Sequence, residues 1–188
     1  TAGEVLLRNA QALKTPLEEV DVVVLSHRHY DHTGGLPTLL DRAKNKPLIA
    51  HPEIVKPSYA SRDGFMCFNL ALTSSQWEKI LTSTEPVLTR KPLELAPDIW
   101  FLGEIARTHD NTYATRGFYT LEAGEIVPDK LLDDTGVAVK LQDKTIVIAG
   151  CSHSGIVNIA QQAKQITGAG QLAIIGGLHM VQATHTRN

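Results

Sequence analysis

The segment SHRHYDHTGG, Ser26 to Gly35, places His27, His29, Asp31 and His32 within six residues of a chain that holds eight histidines in all. Imidazole and carboxylate groups at this density suit Zn²⁺, with Fe or Mn²⁺ as alternatives. In extended backbone alternate side chains share a face, so His27 and His29 can reach one ion together. Asp31 and His32 follow where the chain turns, and can aim at a second ion. Gly34 and Gly35 allow a sharp turn or a close backbone approach.

Two more segments carry histidine at the same kind of position. In GCSHSG, Gly150 to Gly155, His153 is a further candidate ligand or a histidine packed at a helix start, and Ser152 or Ser154 can cap that helix. Cys151 beside it is an additional candidate ligand as a thiolate, or a buried structural thiol. In IIGGLHM, His179 lies just past a Gly-Gly pair. All three segments end apolar runs that read as strands, and in layered α/β folds such strand ends converge on one edge where ligands bind. His51 before Pro52 is more readily structural, and His109 in RTHDN is a loop residue that could touch substrate. His185 carries no assignment. Asp133 and Asp134 in LLDDTG are solvated or capping carboxylates, or partners that orient a metal-bound histidine.

The elements that would position these residues follow from periodicity. Glu4 to Lys14 reads as an amphipathic helix and Val20 to Ser26 as a strand buried on both faces. LPTLLDRAKN reads as a helix and PLIAH as a short strand. From residue 52 to 130 the pattern is loose, and this region is expected to shape the substrate pocket, with Arg62, Arg107 and Arg116 within it. Inside it, SSQWEKIL offers Ser75 as N-cap with Glu78 three positions on. DIWFLGEI, GFYTLEA, GVAVKL and TIVIAG read as strands, GIVNIAQQAKQITGAG as a helix stopped by Gly168, and QLAIIGGLH as a final buried strand. Strands alternating with helices predict an α/β (α+β) layered fold in a single domain, residues 1–188.

Bulk properties narrow the partners. A net charge of −2 offers no basic face for nucleic acid or an anionic membrane. No apolar run approaches the roughly 20 residues that span a bilayer. Two cysteines, Cys67 and Cys151, do not suggest a disulfide framework, and no basic-then-apolar leader is visible, so a cytoplasmic setting is expected.

The motif H-x-H-x-D-H followed by TGGL resembles the metallo-β-lactamase fold superfamily. With GEIAR, DDTGVAV, AGCSHSGIVNI and IGGLH, the chain is similar to one branch of it: metal-dependent hydrolases related to dihydropterin–ribofuranosylaminobenzene phosphate synthase. The resemblance implies an αββα sandwich with one or two metal ions at the sheet edge. His27 and His29 match ligands of the first metal, Asp31 and His32 ligands of the second, and His179 its late histidine. Cys151 stands where the superfamily usually has a bridging aspartate. The superfamily's middle histidine has no clear match unless it is His109, so His153 is expected to substitute. Relatives carry elements before the first helix and after GGLH that these 188 residues are expected to lack, which would expose apolar surface and favour a homo-oligomer.

The expected activity is that of a metallohydrolase, with a metal-bound hydroxide attacking a phosphoester or related ester of a small molecule and Asp31 orienting the nucleophile or taking its proton. Tyr30 would face the cleft or simply pack. The alternatives are a pterin-linked synthase of the same family and a non-catalytic metal-binding or interaction domain.

Overall fold

Two apolar cores, each covered by helices on one side of a sheet, organise the chain. The computed structural model describes residues 3–62 and 65–179. In chain order the first elements are α1 (Gly3–Ala12), β1 (Val23–Val24), α2 (Tyr30–Thr33), α3 (Leu36–Leu40) and β2 (Pro47–Ala50). They are followed by β3 (Tyr59–Arg62), β4 (Phe65–Asn69), α4 (Ser74–Thr82), β5 (Glu85–Leu88), β6 (Leu93–Ala96) and β7 (Ile99–Phe101). The chain continues through α5 (Thr112–Thr115), β8 (Phe118–Glu122), β9 (Glu125–Pro128), β10 (Gly136–Leu141), β11 (Lys144–Ala149), α6 (Ile156–Thr167) and β12 (Gln171–Ile175).

The first sheet is parallel, in the order β1-β2-β5. Its core joins Val23, Leu25, Leu48 and Ala50 of the strand region to Leu36 and Leu40 of α3 and Trp77 and Ile80 of α4. The second sheet runs β12-β11-β10-β7-β6. On it α6 lays Ile159 and Ala163 against Ala138 and Val147, its apolar residues recurring at helical spacing. Gly168, at φ 68°, ends α6 in the left-handed conformation that glycine adopts without strain. The two sheets face each other across a groove of about 450 Å³ lined by Val24, Leu25, Val137, Ile148 and Ala149. With α3 and α4 outside one sheet and α6 outside the other, the layers run αββα. A third, antiparallel sheet, β4-β3-β8-β9, comes from the middle of the chain.

Several elements differ from expectation. The apolar run Val20 to Ser26 yields only a two-residue strand, β1, although Leu25 N–H continues its direction by donating to the Ile49 carbonyl at 3.0 Å. The helix expected after Gly35 is short, and a separate turn of helix, α2, precedes it. The cap of α4 is Thr73 rather than Ser75. Thr73 Oγ1 accepts from Gln76 N–H while Gln76 Oε1 accepts from Thr73 N–H. The final strand β12 is not buried but an edge strand, and Ile175 on it is 60% exposed beside its register partner Ile148 at 48%. Leu172 of this strand packs against the α6 cluster, whereas Ile175 lies on the opposite face of the sheet. The stretch 52–130 holds regular strands, paired as the local hairpins β3–β4, β6–β7 and β8–β9 and tied at longer range through β2–β5, β3–β8 and β7–β10.

Candidate metal centre

The histidine cluster forms where β1 and β11 end side by side. His27 and His29 follow β1 through bends at Ser26 and Arg28, and His29, at φ −61° and ψ 141°, is the N-cap of α2. At the neighbouring strand end Gly150 gives the chains room: a Cβ there would collide with the Ser26 side chain and come within 3.2 Å of His27 Nδ1. Just beyond, Ser152 takes φ 60°, a left-handed turn that non-glycine residues adopt only under local constraint. It is held there by donating Oγ–H to the Gly177 carbonyl at 2.7 Å, and His153 follows.

Three overlapping groups of potential ligand atoms result, each with its atoms within 4.8 Å of one another: His27, His29 and His153; His27, His32 and Cys151; and Cys151, His153 and His179. The rings confirm the crowding, with His27 and His29 centroids 4.8 Å apart and those of His153 and His179 4.3 Å apart. Asp31 stands at the margin. Its side chain is 57% exposed, and its Oδ2 lies 3.5 Å from His32 Nε2. Tyr30 is exposed.

Hydrogen bonds set which ring nitrogens carry lone pairs. His153 Nδ1 lies 2.6 Å from the Ala114 carbonyl, which only accepts, so Nδ1 bears the proton and Nε2 the lone pair. Nε2 of His153 and Nε2 of His27 are buried without a hydrogen-bond partner among the described residues. Buried polar atoms are as a rule paired, and of the six left without a partner among the described residues two are ring nitrogens of one histidine group, which fits a metal ion. His29 Nε2 lies 3.2 Å from Ser58 Oγ, and His32 Nε2 3.1 Å from Cys151 Sγ.

Burial also keeps the rings neutral, the form that binds metal. It lowers His27 far below the usual imidazole range, with the neighbouring His29 and His153 adding to the shift. His29 is pushed down to about 2 and His153 to about 4, in both cases chiefly by burial. His32 and His179 are lowered for the same leading reason. The Cys151 thiol is pushed up to about 11 by burial and then by the Asp31 and Asp134 carboxylates.

Other sequence candidates lie elsewhere. His51 accepts Glu53 N–H at Nδ1 and reaches Glu104 at Nε2, 2.9 Å away, a structural network that also includes Arg90. His109 is exposed and belongs to none of the three groups. Arg107 donates to the carbonyls of Ile105 and Leu131 and so holds backbone. The Arg62 side chain and His185 lie outside the described residues. Three participants escaped the sequence reading. Ser58 meets His29 from a distant loop, Phe118 packs its ring 4.9 Å from His29 and 5.3 Å from His153, and Arg28 is buried between His27 and His29. Only Arg28 left a signal, as a large cation inside a ligand motif.

An αββα sandwich with histidines gathered at adjoining strand ends defines a metallo-β-lactamase fold protein with a candidate metal centre. The chain belongs to the metallo-beta-lactamase superfamily, a match to which spans residues 1–161. It is 34% identical over 192 residues to the 7,8-dihydropterin-6-methyl-4-(beta-D-ribofuranosyl)-aminobenzene-5'-phosphate synthase of Methanocaldococcus jannaschii, covering 100% of this chain and 65% of that protein. An uncharacterized protein of the same organism is 29% identical over 180 residues, covering 95% of this chain and 65% of its own length. The chain thus spans 65% of the length of these curated relatives. Among solved structures, that of Tm1679, a metal-dependent hydrolase of the beta-lactamase superfamily, superposes with a TM-score of 0.77 at 24% identity. It covers 98% of this chain and 66% of that one, a likeness of fold. No helix of the described residues is long and apolar enough to cross a membrane.

Proposed function

We propose that this chain carries the metal centre of a metal-dependent hydrolase acting on a phosphoester or related ester of a small, phosphorylated molecule. The observation that carries the reading is the pair of buried, unpartnered Nε2 atoms of His27 and His153 in one group with His29. Three neutral imidazoles suit Zn²⁺ foremost, and Fe or Mn²⁺ less closely. His32, His179 and Cys151, with Asp31 at the rim, would hold a second ion. When bound, a divalent ion supplies Lewis acidity and brings the pKa of a coordinated water towards about 7.

The chain's own residues do the rest. Burial holds His27, His29 and His153 neutral, so they offer lone pairs at pH 7 without first losing protons. To the Asp31 carboxylate, exposed and 3.5 Å from His32 Nε2, we assign the orienting of a nucleophile or the uptake of its proton. The Phe118 ring, against His29, His153 and His179, keeps water from that side of the cluster. Phe118 belongs to the region 52–130, which we assign to shaping the substrate pocket. The reading carries a cytoplasmic setting and leaves room for a homo-oligomer.

A pterin-linked synthase activity is the second reading, favoured by the 34% identity to a synthase whose named product is a phosphate ester. Metal content and turnover of phosphodiester, phosphomonoester, lactone and thioester substrates with Zn²⁺, Mn²⁺ and Fe²⁺ test the proposal, beside His27→Ala and His153→Ala. Full metal content in both variants would overturn the centre, and stoichiometric metal without turnover of any ester would overturn the hydrolase.

A further inference from the structure

The three histidines of the buried group come from two different sheets, so something must fix the distance between the segments that carry them. Three consecutive residues grip the segments beside the cluster: Asp133 and Thr135 hold residues 26–28, Asp134 holds Ser154, and Thr135 also holds Gly103. Asp133 Oδ2 accepts from the backbone N–H of Arg28 at 2.8 Å, and its Oδ1 accepts from Arg28 Nη1. Arg28 Nη2 donates to Asp129, so both ends of the guanidinium fork are taken. Asp134 Oδ2 accepts from Ser154 N–H at 2.8 Å and from Ser154 Oγ–H at 2.6 Å. Thr135 N–H donates to the Ser26 carbonyl at 2.9 Å, and Thr135 Oγ1 donates to the Gly103 carbonyl at 2.6 Å. Every one of these side chains is fully buried except Asp129, which is nearly so.

The placement is specific. Arg28 lies between His27 and His29, and its guanidinium is turned to Asp133 and Asp129. Asp133 holds residue 28 by both main chain and side chain, which fixes the direction in which the flanking imidazoles leave the backbone. Asp134 does the same for Ser154, the residue after His153, and its Oδ1 stands 3.9 Å from His27 Nδ1. Stability alone gives little reason for such an arrangement. A buried ion pair seldom outperforms apolar side chains of similar volume, because desolvating the charges offsets their attraction. What a planar, two-pronged guanidinium contributes over an apolar side chain is orientation.

We propose that Asp133 and Asp134, acting through Arg28 and Ser154, are positioning residues that set the spacing of the His27–His29–His153 group and thereby its affinity for a metal ion. The inference rests on the metal-centre reading above. Its test is zinc affinity by competition with a chromophoric chelator in the wild type, Arg28→Lys and Ser154→Ala, with the thermal melt of each metal-free protein alongside. Lysine keeps the charge but cannot fill both carboxylates, and alanine removes one hydroxyl. Each variant is expected to lose on the order of 10–100-fold in zinc affinity while still melting cooperatively. The Co²⁺-loaded variants are expected to show an altered visible ligand-field spectrum. Should Arg28→Lys fail to fold, the triple variant Arg28→Met/Asp129→Asn/Asp133→Asn removes all three charges, keeps an acceptor for the backbone N–H of residue 28, and is read in the same way. Lower melting temperatures with wild-type zinc affinity and an unchanged Co²⁺ spectrum would reduce the brace to a purely structural role and overturn the proposal. Failure of the wild type itself to bind zinc or Co²⁺ is a different result, which sinks the metal-centre reading.

Discussion

His32 Nε2 and Cys151 Sγ lie 3.1 Å apart, joining the histidine that closes the first ligand motif to a thiol at the neighbouring strand end. With His27 they form one ligand group, and Cys151 belongs to a second with His153 and His179. A thiol shared between two groups is placed to ligate, although burial pushes it up to about 11 and leaves it protonated at neutral pH. Ligation must therefore displace its proton. Co²⁺ loading is expected to produce a thiolate-to-metal charge-transfer absorption in the near ultraviolet, absent in Cys151→Ser. Calorimetry in buffers of different ionisation enthalpy should show wild type releasing about one more proton per chain on zinc binding than the variant. Identical spectra and proton release would remove Cys151 from the centre.

The metal-free protein should lose stability as pH falls from 7 to 5. His27, His29, His32, His51, His153 and His179 are all lowered by burial, so below about 6.5 the unfolded chain binds protons that the folded one refuses. Stability that is complete above the unfolded pKa then drains away towards the folded values, about 4 for His153 and about 2 for His29. Asp133, raised to about 7 by burial, and Asp134, raised for the same reason, work in the opposite sense over this window. Two carboxyls oppose six histidines, so the histidines set the sign. Melting temperature followed against pH in a chelator checks this, and His153→Ala should flatten the slope; a melt that is level or rises towards pH 5 contradicts it.

At α4 the stability effect should follow the cap found rather than the one expected from sequence. Thr73 and Gln76 exchange bonds through the capping box, which anchors a helix that buries Trp77 and Ile80. Thr73→Ala is expected to cost about 1 kcal/mol in chemical denaturation, and Ser75→Ala less than about 0.5 kcal/mol. Equal losses would mean that the box contributes nothing particular.

That displacement by two residues shows where sequence reading reaches its limit. The spans of β10 and α6 were legible because β-branched runs, helical spacing and a glycine stop are local signals. The histidines that the structure brings together were legible because His27, His29 and His32 are dense within one segment and His153 and His179 each follow an apolar run. Ser58 beside His29 and Asp133 beside Arg28 are set by contacts 29 and 105 residues apart, which no local period encodes. The strand β5 was hidden for another reason: all four of its residues are exposed, so it lacks the alternation that marks a half-buried strand. Thr73 was missed because three capping candidates in a row, Thr73, Ser74 and Ser75, differ only in which one the fold leaves in extended backbone.

Gly150 offers the sharpest check on how the two strand ends meet. Its constraint is space rather than backbone conformation. An added Cβ would strike the Ser26 side chain, lying 2.7 Å from its Cβ, and would crowd His27 Nδ1 at 3.2 Å. Gly150→Ala should therefore destabilise by about 1–3 kcal/mol, as overpacking does in a filled interior. It should also weaken zinc binding, because the chain that must yield carries His27. If this collision is the cause, deleting the Ser26 side chain should relieve it. The double variant Gly150→Ala/Ser26→Gly is then expected to be more stable than the two single losses summed, with a coupling of about 0.5–3 kcal/mol. Residual crowding of His27 should keep the relief partial. Strict additivity would show that β1 and β11 do not press on each other at this point, and the close approach that assembles the histidine group would need another origin.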